Sequence, residues 1–437
     1  MQSKWFLAAT RFARGFSLLA FAMLVAPLSA QPAANPPEKH APAKIDQHLL
    51  LFPESVVSEQ WTHTLNLVNP PQNLKLLNPG QCIRIGVVAT GDGRDSFLEK
   101  TQISFRVQFA GQMQDHALAP LSAIKQIKPE GGDFVTQALA AANVDNPLKT
   151  MASLGAAKDN WCVPADAKDG TAAIEAEIKT PSGLQKLAPA TIPIESFETG
   201  SKWTFKSPEE FEQLMMGYHY QPFPAHLYAA VKLFAADPKL HEHPENLLSF
   251  AATIGAALKT NPDAAKDFIA RLTNENSFPV RAIGMVALQV GGYDIGPVRN
   301  AMSEDDKKLF GNPEFPDPYD FSHPEDVAKR FDMLWGMFAT TGEFSPIQKI
   351  ATALAWRGDW EDFDKARKSA NPPHEWTPAI GRAVAYGAAG WSLSSFQQTD
   401  PLAADYIEDM IASPDTPDLV KSELKILQTD PAFRRTD

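Results

Sequence analysis

In the first half of the chain, apolar and polar residues alternate with a spacing of two. Ile103, Phe105, Val107 and Phe109 are separated by Ser104, Arg106 and Gln108, and Ala172, Ile174, Ala176 and Ile178 stand against Glu175, Glu177 and Lys179. Each run predicts a strand with one buried face. Ile83, Ile85 and Val87 make a third run, and Ile192 with Ile194 a fourth. Gly91-Asp92-Gly93-Arg94-Asp95 supplies turn residues, and roughly 133–143 reads as a helical insertion. The simplest architecture for 47–200 is an all-β sandwich of immunoglobulin-like general shape. Membership of that family is not expected, because Trp161 abuts Cys162 and Asn160 stands where its tyrosine would be.

From about residue 203 the period changes to 3.6. Val327, Phe331, Leu334 and Phe338 fall on one helix face, as do Ile347, Ile350, Ala351 and Leu354. Leu402, Tyr406, Met410 and Ile411 repeat the pattern, and Val420, Leu424 and Leu427 form a last stripe. A cap residue followed by proline recurs at Ser207-Pro208, Asn261-Pro262, Ser345-Pro346, Asp400-Pro401 and Thr416-Pro417. The cap oxygen accepts from an otherwise orphaned N–H, and proline at the first helical position loses no hydrogen bond. Glu210 and Gln348 would complete capping boxes with Ser207 and Ser345. Ser303 reads as a further cap, and Gly291-Gly292 as a helix stop. Residues 201–437 are therefore expected to be an α-helical array, an irregular solenoid or a bundle. The whole is a multidomain α+β chain.

Residues 1–30 read as a signal peptide: Lys4, Arg11 and Arg14 precede an apolar run from Phe16 to about Leu28. Residues 31–46, rich in Pro and Ala, read as a flexible leader. No run of 18 apolar residues follows, so no stable membrane insertion is expected after cleavage. Export to the periplasm or the exterior makes Cys82 and Cys162 a disulfide pair, because no other cysteine is present. The net charge is -12, and residues 201–437 alone hold 23 Lys and Arg against 34 Asp and Glu. Phosphate binding needs a basic face, so nucleic acid is not an expected partner.

Candidate chemistry is sparse. His241, His243 and Glu245 cluster within five residues and are the best candidate metal ligands, although their spacing is not that of two histidines on one helix face. No nucleophile elbow or glycine-rich phosphate loop is present, and no cofactor is expected. Trp335, Trp356, Trp360, Trp376 and Trp391 fall within 57 residues. Most are expected in the helical core. Trp356 and Trp360, flanking Arg357-Gly358-Asp359 near a helix end, are the candidates for a platform that takes a sugar or peptide. The Arg-Gly-Asp tripeptide itself reads as chance plus a glycine helix stop.

The segment from Phe331 to Gly342, FDMLWGMFATTG, and Ala389-Gly390-Trp391-Ser392-Leu393 resemble elements of uncharacterised exported bacterial helical proteins. The resemblance covers roughly 320–400. It implies a helical fold and a bacterial source, and no activity. The expectation from these readings is a non-catalytic binding or scaffold protein with a protein partner, its oligomeric state open. The alternative is a hydrolase or metal-dependent enzyme acting on envelope polymers.

Overall fold

Strands form where the period-two runs lie, and helices follow them. The computed structural model describes residues 46–53, 74–90, 100–126, 152–180, 183–237, 244–311, 315–369 and 375–429. The expected signal peptide, the leader up to residue 45, the 91–95 turn and the 133–143 helix lie outside the described residues.

Among the described residues, nine strands come first: β1 (Asp46–Pro53), β2 (Cys82–Thr90), β3 (Gln102–Phe109), β4 (Gln112–Pro120), β5 (Ser122–Gln126), β6 (Ala152–Cys162), β7 (Gly170–Thr180), β8 (Gly183–Lys186) and β9 (Ala190–Ile194). One sheet has the order β1-β2-β6-β5, the other β4-β3-β7-β8, with β9 also pairing with β7; the pairings are antiparallel. In β3 the buried side chains are Ile103, Phe105 and Val107, which face Ile178, Ala176 and Ile174 of β7 in register. Ile83, Ile85, Val87 and Trp161 from the first sheet join the same apolar cluster. The clean alternation of β3 and β7 therefore has a cause: one face of these strands turns to a core shared with residues of the first sheet, and the other is half-buried or exposed. Cys82 and Cys162 pair in register across β2 and β6, at disulfide distance with S–S 2.00 Å. They join neighbours within one sheet.

The helices are α1 (Phe197–Gly200), α2 (Pro208–Met216), α3 (Leu227–Ala236), α4 (Pro244–Thr260), α5 (Pro262–Thr273), α6 (Phe278–Val290), α7 (Gly296–Asn300), α8 (Glu304–Phe310), α9 (Val327–Thr341), α10 (Phe344–Thr352), α11 (Arg357–Arg367), α12 (Pro378–Thr399), α13 (Pro401–Ala412) and α14 (Asp418–Thr429). Ser207, Asn261, Ser303 and Asp400 cap α2, α5, α8 and α13 through their side-chain oxygens. The Glu210 carboxylate accepts instead from the Lys206 N–H, one residue before the cap. Two expected starts are displaced. α10 begins at Phe344 with Glu343 in the cap position, so Pro346 sits in its first turn, where an N–H has no helical partner to lose. α14 begins at Asp418, and the Lys421 N–H bonds the Pro417 carbonyl.

Two apolar clusters organise the helices. The first spans Phe205 to Met302, the second Val327 to Leu427. α9 belongs to the second and lies against α4 of the first. The contact is close because Gly336 has no side chain: a Cβ there would clash with the Thr253 Oγ1. The stripe Phe331, Leu334 and Phe338 on α9 is buried as its spacing predicts.

Candidate functional site

Trp356 closes a 3₁₀ turn, Ala353–Trp356, and Trp360 lies one turn later in α11. Both are half-buried. The Trp356 ring lies 6.2 Å from Phe321 and packs against the second helical cluster. The Trp360 ring lies 6.0 Å from Tyr386 and 6.3 Å from Phe363, with the Arg367 guanidinium 5.9 Å from its centre. No residue of α11 is fully buried, so Trp360 and ion pairs fix this helix.

The residues between the two tryptophans are committed to those ion pairs. Arg357 donates to Glu423 at 2.6 Å and to Glu361 at 2.8 Å. Asp359 accepts two bonds from Arg382, at 2.8 and 3.0 Å. Glu423, almost fully buried, also accepts from the Tyr386 hydroxyl at 2.5 Å. Burial, then this bond and the Glu423 charge, push the Tyr386 phenol well above its usual range, so it stays a donor. The Arg-Gly-Asp tripeptide is thus a clasp joining α11 to α12 and α14.

The five tryptophans divide. Trp335 is buried and stacks on Phe396 with ring centres 3.8 Å apart. Trp376 and Trp391 keep 57% and 47% of their surface exposed, more than Trp356 or Trp360. The Arg357-Gly358-Asp359 helix end that singles out Trp356 and Trp360 marks neither. Trp391 is easily missed because Ala389, Gly390, Ser392 and Leu393 around it are all buried. The available signal was Ile380, Val384, Gly387 and Trp391, at i, i+4, i+7 and i+11 on a helix that is apolar on its other faces too.

A second polar region lies where the strands meet the helices. The strap 74–81 runs beside β9, with Leu77 bonded to Pro193 and Glu195 bonded back to Leu77. Asn78 donates to the Glu195 carbonyl at 2.7 Å and accepts from the Ala225 N–H at 3.3 Å. Gln81 donates to the Pro222 carbonyl at 3.2 Å, and Asn261 to the Pro79 carbonyl at 3.3 Å. These contacts border a cleft of about 100 Å³ lined by Gln81, Cys82, Tyr218, His219, Pro222 and Asn261.

His219 is the most constrained group there. Its Nδ1 lies 2.8 Å from the Ala339 carbonyl, which can only accept, so Nδ1 carries the proton. Its Nε2 lies 3.8 Å from an Asp400 oxygen. Burial holds the ring below the usual imidazole range despite the Asp400 charge, so it is neutral at pH 7. The other Asp400 oxygen caps α13 and accepts from Tyr220 at 3.0 Å. Nearby, His226 bonds Glu195 at 2.6 Å, with its ring between Trp203 and Phe223. In both places the polar atoms serve the joint between elements.

No family model, curated protein or solved structure matches the chain. The resemblance over roughly 320–400 therefore rests on its two segments alone. His241 and His243 lie outside the described residues, and of Glu245, in the first turn of α4, only the backbone is described. Among the described residues no group of three or more His, Cys, Asp and Glu could hold a metal ion. Nor is any described helix long and apolar enough to cross a membrane.

Proposed function

We propose that this is an exported, non-catalytic binding or scaffold protein of the periplasm or the cell exterior. Residues 1–30 would be its signal peptide and 31–46 its leader. In this reading 47–200 is a β-sandwich of immunoglobulin-like general shape, supported by the single core its two sheets share, though both cysteines lie in one sheet. Residues 201–437 are an irregular helical array. The observation that carries the functional reading is the pair of solvent-facing tryptophans, Trp376 and Trp391. Large exposed aromatic surface is costly in water and marks interaction sites.

The test is native mass spectrometry of the mature protein from its own host, purified without chelators, alongside cross-linking in that host. The expected result is a mass beginning at Gln31, two hydrogens short of the dithiol, with a protein partner in the cross-linked sample. Recovery of the protein alone after cross-linking overturns the reading. A stoichiometric metal, lost in His241→Ala with His243→Ala, replaces it with a metal-dependent enzyme.

A further inference from the structure

The disulfide lies on the outer side of its sheet. The alternation that buries Ile83 and Trp161, paired across β2 and β6, turns Cys82 and Cys162 to the opposite face. Cys162 is exposed, whereas Cys82 is half-buried and lines the cleft. The two sulfurs therefore differ. An incoming thiolate reaches Cys162 from solvent, and Cys82 is the one that leaves. Disulfides open to solvent exchange more readily than enclosed ones.

Arg84 follows Cys82 by two residues and so stands on the same face of β2. It is paired with Asn160 of β6, and its Nε donates to the Asn160 side chain at 2.9 Å. The amide is neutral, so this bond holds the guanidinium in place without cancelling its charge. A fixed cation near a cysteine favours the thiolate, and a better-stabilised thiolate leaves faster.

The bond also anchors the joint between strands and helices. The Val163 N–H donates to the Gln81 carbonyl at 2.9 Å, and the Gly80 N–H to the Val163 carbonyl at 3.0 Å. The Gln81 side chain donates to the Pro222 carbonyl and accepts from the Asn78 N–H. Cys82 thus fixes the end of the strap 74–81 that reaches the helices. β3 and β7 lie in the other sheet and are paired with each other without it.

We propose that Cys82–Cys162 is a thiol-exchange site and a redox latch: a dithiol reductant attacks Cys162, Arg84 steadies the departing Cys82 thiolate, and opening the bond loosens the strap 74–81 and the strand ends it joins while β3 and β7 stay paired. In the first step a reductant thiolate bonds to the Cys162 sulfur, the Cys82–Cys162 bond breaks, and its electron pair leaves on Cys82. In the second the other reductant thiolate attacks the reductant sulfur of this mixed disulfide, and Cys162 leaves as a thiolate. The two protons lost by the dithiol end on the two cysteines; the reductant becomes a disulfide and the protein a dithiol. The proposal goes beyond the binding reading and does not depend on it.

The test uses the full chain under native conditions. A glutathione pulse quenched with N-ethylmaleimide should leave glutathione on Cys162 and the maleimide on Cys82, read by peptide mapping. Dithiothreitol should open the bond at a rate that urea below the unfolding transition leaves unchanged. Arg84→Gln should slow that rate about threefold, because leaving-group basicity is only partly felt in the rate, and Arg84→Lys should keep it. Hydrogen exchange of the reduced chain should quicken over 74–81 and at the adjoining ends of β2 and β6, and stay slow in β3 and β7. Glutathione on Cys82, reduction only where urea unfolds the chain, or a wild-type rate in Arg84→Gln overturns the proposal. So does a reduced chain whose strap exchanges as before. Equal quickening of β3 and β7 overturns it as well, since the bond would then be a staple for the whole strand region and not a latch.

Discussion

The strand core and the second helical core bury their interiors in different ways. Around β3 and β7 the buried side chains are mainly apolar pairs in register, such as Ile103 with Ile178 and Val107 with Ile174, with the uncharged Thr101 and Thr180 at the strand ends. Around α9 to α14 the interior also takes in charge and hydroxyl: Arg330, Asp400, Glu423 and Ser394 are all buried. Arg330 donates to the Asp317 carbonyl at 3.1 Å and lies 3.4 Å from Asp320. A periodic apolar face can fix a sheet almost unaided. Helices crossing at several angles need directional bonds to choose one arrangement, and each buried polar group then becomes a point of failure. The two regions should accordingly respond to different insults.

The sharpest way to break the comparison is to empty a site in the helical core. Phe338 is fully buried, with Trp335 and Tyr406 rings at its edges. Phe338→Ala should cost about 3–5 kcal/mol, from lost transfer energy and the cavity left behind. Native-state hydrogen exchange should quicken throughout α9 to α14 and leave β3 and β7 slow. Equal acceleration in the strands would mean the two cores melt as one. The next largest effect falls on the other side. Cys82→Ser with Cys162→Ser opens a sequence separation of 80 residues. It should cost about 2–4 kcal/mol. The measurement is the denaturant midpoint, with exchange at β2 and β6 affected first; unchanged exchange there would assign the staple no role in the sheet.

How far the sequence reached depends on which interactions are local. The period-two runs around Ile174 and the stripe of Phe331, Leu334 and Phe338 are legible because alternation and helical spacing are properties of neighbouring residues. Caps such as Asn261 and Asp400 are legible for the same reason. The start of α10 was misplaced because a proline is tolerated anywhere in the first turn, so Ser345-Pro346 does not fix the boundary. The cleft beside Cys82 could not be read at all. It depends on Asn78 meeting Ala225 and Asn261 meeting Pro79, partners 147 and 182 residues apart. Trp391 was in between: its helix face was written in the chain, but only the fold shows that nothing in the described residues covers it.

The smallest expected effect tests whether buried polar groups make the helical side the pH-sensitive one. His219 is depressed by burial, so the folded state binds fewer protons than the unfolded state near its ordinary pKa of 6.5. Its contribution is complete above that value and declines as pH falls toward the folded pKa. One such group changes stability by at most about 1.4 kcal/mol per pH unit. His116, on the edge strand β4, is also depressed by burial, but both Asp115 and Asp159 beside it oppose the shift. Urea midpoints at pH 7.5 and 5.5 should therefore fall less for His219→Gln than for the wild type, while His116→Gln should keep most of the wild-type slope. The glutamine can still donate to the Ala339 carbonyl, so its stability at pH 7.5 serves as the internal reference. If His116→Gln removed the slope instead, the acid-sensitive element would be the strand edge, and the division between an apolar sheet core and a polar helical core would not govern how the protein responds to pH.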